Sequence, residues 1–306
     1  MIAAVDCMEM RNSVDVKLVE FKTSDGLMLS GLLSVPKRRP KVGVIHVHGI
    51  FSSFYRSRLA KAFARDFAKK GVALLNIETR GSSTMMGFAK GSGSKLRYFN
   101  MGGGVEKFED CVKDVDAAVR FMKRLGIKRI YLEGISTGAQ KITYYAWKRP
   151  GKVRGVILLG AVDDYNLRRK ELGRKFRKAV ALARAISKKD PTGLLPPSYL
   201  GVHLTARRFL SFADPKNPEA RLFNYDRPRL SELASLKIPV LSIFGSREQH
   251  AIKPPREMNS IIAMNCSSRL SRQLLIKGAN HSFHGKAEEA GLSILGWIAY
   301  VEGERR

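Results

Sequence analysis

Gly134-Ile135-Ser136-Thr137-Gly138 has the form G-x-S-x-G, in which two glycines permit the tight strand-to-helix turn that leaves a serine exposed and strained. Such a serine attacks a carbonyl only if a base takes its proton, and the base needs a carboxylate to fix its tautomer and stabilise its cation. The chain supplies both: His281 in Gly278-Ala279-Asn280-His281-Ser282-Phe283 and Glu248 in Gly245-Ser246-Arg247-Glu248. The chemistry expected of the set is acyl transfer, whose tetrahedral intermediate also needs donors for its oxyanion. His48-Gly49-Ile50-Phe51 offers the Ile50 N–H, with Gly49 permitting the turn, and the Thr137 N–H would stand opposite it. For the His48 imidazole a buried scaffold role is expected.

These residues must be placed by elements, and the patterning predicts them. Two β-rich runs between Val16 and Pro36 flank Thr23-Ser24-Asp25-Gly26, a hairpin signal. Strands are predicted at 42–49, 72–78, 129–133, 153–159, 238–245 and 272–278. Helices are predicted at 56–70, 106–125, from the serine to Lys148, after Pro254-Pro255, and at 286–301. Strands alternating with helices imply a parallel sheet. Ser136, Glu248 and His281 then fall at three strand ends on one sheet edge, where ligands bind in open α/β sheets. Residues 81–104 read as a long Gly- and Ser-rich loop, with Gly102-Gly103-Gly104 making it flexible near the site entrance. Residues 161–231 break the rhythm: one basic helix over about 167–189, with Leu172, Phe176, Val180, Ala183 and Ile186 at helical spacing, then an irregular Pro-rich stretch.

The chain therefore resembles the α/β-hydrolases. The resemblance rests on His48-Gly49, Arg80-Gly81, the G-x-S-x-G at Ser136, the carboxylate three residues after Gly245, and Gly-Ala-Asn-His281-Ser-Phe, in an order that spans Val42 to Val301. The last motif is similar to that of small esterases related to feruloyl esterases and dienelactone hydrolases, and of peptidase-like members. The resemblance implies a mostly parallel central sheet with helices on both faces and a helical lid at 161–231 between core parts 1–160 and 232–306. It also implies Ser136 as nucleophile, His281 as base, Glu248 as acid, Ile50 and Thr137 as oxyanion donors, and no cofactor. The commoner acid is Asp; Asp163 or Asp164 would substitute if Glu248 pointed elsewhere. Ester, thioester and short-peptide substrates share the mechanism.

Composition narrows the alternatives. The 306 residues are 44% hydrophobic and 27% charged, ordinary for a folded chain, and the longest apolar run, about Val156 to Val162, falls short of the ~20 residues of a membrane span. The N-terminal stretch lacks a basic leader, so a cytoplasmic protein is expected. Cys7, Cys111 and Cys266 are far apart and odd in number, which suggests reduced, unpaired thiols. The pairs His46/His48 and His281/His284 lack a carboxylate or Cys to complete a metal set. Trp147, Trp297 and His46 read as core, and the glycine run at 102–104 is no phosphate-binding P-loop.

The formal charge of +28 draws anions, and residues 168–189 carry ten Lys or Arg against Glu171 alone. Arg247 and His250 beside the acid either favour an anionic substrate or reflect the overall composition. A contrasting class is a catalytically silent fold holding nucleic acid or another acidic partner through this surface. Against it, a binding module has no need of serine, histidine and carboxylate at three separate strand ends, and no RNA-binding motif or interleaved aromatics accompany the charge.

Overall fold

The structure, a computed structural model, describes residues 14–91 and 93–304; Cys7 and the N-terminal stretch lie outside the described residues. Strands β1 (Asp15–Lys22) and β2 (Met28–Val35) form the expected hairpin. Its turn is closed by Thr23, whose hydroxyl accepts the Leu27 N–H at 2.8 Å and donates to Asp25. The βα alternation follows with β3 (Val42–Val47), α1 (Arg58–Lys69), β4 (Val72–Ile77), the pair β5 (Met86–Lys90) and β6 (Arg97–Met101), α2 (Cys111–Arg124), β7 (Arg129–Ile135), α3 (Thr137–Lys148) and β8 (Gly155–Leu159). Next come α4 (Asp164–Leu172), α5 (Phe176–Lys189), β9 (Leu194–Leu195), β10 (Leu204–Thr205), α6 (Ala206–Ala213), α7 (Pro218–Leu222) and α8 (Ser231–Ala234). The chain ends with β11 (Val240–Arg247), α9 (Pro255–Met264), β12 (Arg272–Asn280) and α10 (Ala287–Gly303).

The eight-stranded sheet has the order β1-β2-β4-β3-β7-β8-β11-β12. The six strands from β4 to β12 run parallel, and β1 and β2 add an antiparallel edge. Strands such as VALLNI (β4) and GVILL (β8) are buried at every position because helices cover both faces. Alternation sorts their side chains into two cores. Ile45 and Val47 join the residues of α2, α3 and α9; Val44 joins Phe63 and Phe67 of α1 and Ile294 and Ile298 of α10. Helix α1 starts where Ser57 Oγ accepts the Ala60 N–H at 3.2 Å, a capping bond that satisfies an otherwise unpaired donor.

The stretch from α4 to α7 adds no strand to this sheet. It packs through a cluster of its own, with Leu172, Ala179, Ala183, Leu204 and Phe209 buried and Ile50 and Phe51 resting against it.

Several expectations change. Residues 81–104 hold the β5–β6 hairpin; β6 is exposed along nearly its whole length and lacks the hydrophobic alternation that marks a strand. Gly102, Gly103 and Gly104 are buried, so they form part of the packing and not a flexible entrance. The helix expected from Glu106 begins at Cys111, after a single 3₁₀ turn, because Glu106 is drawn into a buried ion network. The basic helix over 167–189 is two helices, interrupted at Gly173. Within the Pro-rich stretch stand the short α6, α7 and β9–β10 pair. Trp297 is in the core, whereas Trp147 is half-buried at its edge beneath the Lys148 ammonium, 4.1 Å from the ring centroid.

Candidate active site

Strands β3 and β7 pair in parallel from Val42↔Arg129 to Val47↔Gly134, but the chain then leaves them in opposite directions, toward β4 and toward β8. Such a reversal opens a crevice beyond the carboxyl ends of the two strands. Gly49-Ile50 and Ser136 stand at those ends. The two glycines of the serine motif are required by close approach. A methyl group on Gly138 would lie 2.1 Å from the Val47 carbonyl oxygen, and one on Gly134 would lie 2.4 Å from the Gly138 carbonyl carbon.

Ser136 sits at the sharp junction with φ 56° and ψ −127°, a conformation that costs a side-chain-bearing residue energy and persists only where the surroundings impose it. Here they do: its N–H donates to the Leu159 carbonyl of β8 at 2.9 Å, and its carbonyl accepts the Ala139 N–H at 2.8 Å. The side chain faces Gly49; a methyl group there would lie 3.7 Å from Ser136 Oγ. Thr137 is the first residue of α3, so its N–H is one of the donors a helix start leaves without an intrahelical partner.

His281 and Glu248 meet just beyond the ends of β12 and β11. Nδ1 of His281 lies 2.8 and 2.9 Å from the two carboxylate oxygens of Glu248, whose side chain is 2% exposed. The β11–β12 register shifts between Gly245 and Arg247, an irregularity of the kind that re-aims the following side chain. The Gln249 side chain accepts the His281 N–H at 2.8 Å, and the Glu248 carboxylate accepts the His250 N–H at 3.0 Å. With Nδ1 held by the carboxylate, Nε2 is the nitrogen left for chemistry. Gly160, the residue after Leu159, lies under the His281 ring, so β8 carries both Ser136 and His281 at its end.

Asp163 and Asp164 are engaged elsewhere. Asp163 caps α4, accepting the Asn166 and Tyr225 N–H groups at 2.9 Å, and Asp164 accepts the Gln140 amide at 2.6 Å. Burial pushes both carboxyls above their ordinary range. His250 packs edge-on to His281, ring centroids 4.6 Å apart, and burial, then the neighbouring His281, lowers its pKa. Arg247 is exposed.

His48 is buried, as expected, and also does something specific. Its Nδ1–H donates to the Gly49 carbonyl at 2.8 Å, which orients the Gly49–Ile50 peptide. Because that unit is planar and trans, the Ile50 N–H is directed away from His48. Hydroxyls of Ser82 and Thr79 stand 2.9 and 3.1 Å from Nε2, consistent with the neutral ring. Burial, then repulsion from Lys141, pulls the pKa down to about 3. His46 pairs with Glu133 and Ser57 in the core, and His284 approaches Arg58 at 3.4 Å, so neither histidine pair converges on a common point.

Sequence reasoning missed a buried ion network beneath the site. Lys141 of α3 donates to Glu106 at 2.9 Å, Glu106 also faces Arg208 of α6 at 3.3 Å, and Arg208 pairs with Glu219 and donates to the Gly103 carbonyl at 2.9 Å. Burial alone would raise the Glu106 carboxyl, but Lys141 and Arg208 outweigh it and hold it low. Gly103 abuts Phe51, so the network ties α6 to the loop bearing Ile50. The available signal was Lys141 standing among residues of α3 that the elbow and the sheet bury, from Thr137 to Ala146.

The mostly parallel sheet and its covering helices define an α/β-hydrolase fold. The chain resembles solved esterase structures across nearly its whole length. The ferulic acid-bound Est1E of Butyrivibrio proteoclasticus is 17% identical, with a TM-score of 0.67 over 93% of this chain and 100% of that one. The siderophore hydrolase EstB of Aspergillus fumigatus is 16% identical, with a TM-score of 0.68 over 94% and 98%. The Pyrococcus furiosus esterase Pf2001 is 17% identical, with a TM-score of 0.57 over 97% of each chain. At these identities the likeness is one of fold. The chain belongs to the family described as "Protein of unknown function (DUF1749)", whose model matches residues 94–297. No curated protein sequence matches it.

Proposed function

We propose that the protein is a serine hydrolase that cleaves a carboxylic ester or thioester through an acyl-enzyme. The observation that carries this reading is the His281 ring held by the buried Glu248 carboxylate beside the strand end that anchors Ser136. Ser136 Oγ attacks the carbonyl while His281 Nε2 takes its proton; the imidazolium, stabilised by Glu248, returns the proton to the leaving group, and water repeats the cycle to release the acid. The Ile50 and Thr137 N–H groups receive the oxyanion, helped by the positive end of α3. Residues 161–231 act as a lid, packed through Phe209 and its neighbours against Ile50 and Phe51. Substrates are small acyl compounds, and the chemistry needs no cofactor.

Hydrolysis of a chain-length series of p-nitrophenyl esters by the wild type and Ser136→Ala tests the assignment. Turnover by the wild type, a loss on the order of 10³-fold or more in the variant, and labelling of Ser136 by a fluorophosphonate are expected. Equal inactivity of both proteins without labelling would overturn it and favour a non-catalytic role.

A further inference from the structure

Gly173 ends α4 at φ 49°, ψ −124°, a left-handed conformation that few residues other than glycine adopt, with open space around its α-carbon. On one continuous helix Lys170, Arg174 and Arg177 would form a convex, solvated stripe. The break instead gathers Arg169, Lys170, Arg174 and Arg177 around an open cavity of about 670 Å³ that Asp226 and Ile252 also line. Among the described residues none of these four cations forms an ion pair, and Asp226 lies 3.8 Å from Lys253. Arg169 is held in place: it donates to the side-chain oxygen of buried Asn166 at 3.0 Å and lies 5.4 Å from the Tyr165 ring centroid. The Asn166 amide is fixed in turn on Asp163 and Asn224.

Four like charges converging on one concavity repel one another, and an anion between them relieves that cost. The volume suits a small molecule, and Phe176 and Ile252 give it an apolar wall. Helix α4, which lines the cavity, also carries charges that act on His250, the ring packed edge-on against His281. Arg168 and Glu171 of α4, with His281 and Glu248, act electrostatically on His250, and Ile252 of the cavity wall is four residues beyond Glu248. We infer that this cavity binds a small polyanion carrying two or more phosphate or carboxylate groups and, resting on the esterase reading above, that it holds the charged portion of the substrate.

Calorimetric titration of full-length Ser136→Ala with tripolyphosphate, and separately with tricarballylate, at about 0.15 M salt reads the site without turnover and separates the two anion chemistries. Saturable binding of at least one is expected. Arg174→Glu/Arg177→Glu should weaken it about tenfold or more, whereas Lys188→Glu/Lys189→Glu, the same charge change at the far end of α5, should alter it less than about threefold. Binding of neither anion, or equal loss in both double variants, overturns the inference. So does a single-stranded oligonucleotide that displaces the anions and weakens equally in both variants, the behaviour of a diffuse basic surface.

The substrate half is read with acetyl-coenzyme A if phosphate binds, or a p-nitrophenyl ester of tricarballylic acid if carboxylate does, each against an uncharged counterpart. The ratio of kcat/KM, charged over uncharged, should fall about tenfold or more in Arg174→Glu/Arg177→Glu. An unchanged ratio overturns that half. Saturable polyanion binding by a wild type that hydrolyses no ester leaves the cavity standing and removes the esterase reading.

Discussion

Gly160 lies directly beneath the His281 ring: a methyl group on its α-carbon would stand 3.0 Å from Nδ1 and 3.1 Å from Cε1, and also 3.0 Å from a carboxylate oxygen of Glu248. Its φ of 52° adds a second reason for glycine. Gly160→Ala should displace the His281–Glu248 pair by a few tenths of an ångström and cost about 1–2 kcal/mol of stability through the left-handed backbone. Ester hydrolysis should fall about tenfold or more while the protein stays folded, because reacting geometry is sensitive to small displacements. Paired melting curves and kinetics check this; full activity would mean that the ring needs no such seat.

Glu248→Gln should leave the fold intact and reduce kcat by about 10²- to 10⁴-fold, because an amide can favour the wrong imidazole tautomer and cannot stabilise the cation. Asp163→Asn tests the competing carboxylate. It should cost about 1 kcal/mol through the weakened α4 cap, with activity within about threefold of wild type. The reverse ranking in steady-state kinetics would make Asp163 the partner of His281.

Unfolding should report the buried His48. Its pKa falls from the ordinary 6.5 to about 3 in the folded chain. Between those values the unfolded chain protonates the ring and the folded chain does not, so stability is fully present above pH 6.5 and declines as pH drops toward 3. The slope from this group reaches about 1.4 kcal/mol per pH unit. His48→Gln should reduce the loss between about pH 7 and about pH 4.5 in urea titrations; an identical pH dependence would contradict the buried neutral ring.

Removing Lys141 leaves Glu106 buried with only Arg208 for compensation. Lys141→Met should destabilise by about 3–5 kcal/mol, and Lys141→Met/Glu106→Gln should recover part of that loss, because an uncompensated buried charge costs more than the pair contributes. Denaturant midpoints read both. A loss below about 1 kcal/mol in the single variant would show that Arg208 suffices.

Much of this molecule was legible in its residues because local rules wrote it there. Runs such as VALLNI, apolar at nearly every position, mark strands covered on both faces, as parallel sheets are, and the glycines at 134 and 138 mark a turn where β3, β7 and α3 approach closely. The order Ser136, Glu248, His281 followed from strand ends that periodicity alone locates.

What tertiary structure decided involves partners distant in sequence. Whether Glu248 or Asp163 meets His281 depends on a register shift in β11 and on Asn166 and Tyr225 claiming Asp163. Glu106, Lys141 and Arg208 leave almost no periodic trace, since an ion network requires only that its members arrive together from three elements. Gly173 could be read as a glycine tolerated within a helix, because φ is chosen by packing on either side. Sequence by itself determines which residues seek burial and where the chain can turn; only the folded chain decides which charges face one another, because electrostatic contacts form across space and not along the backbone.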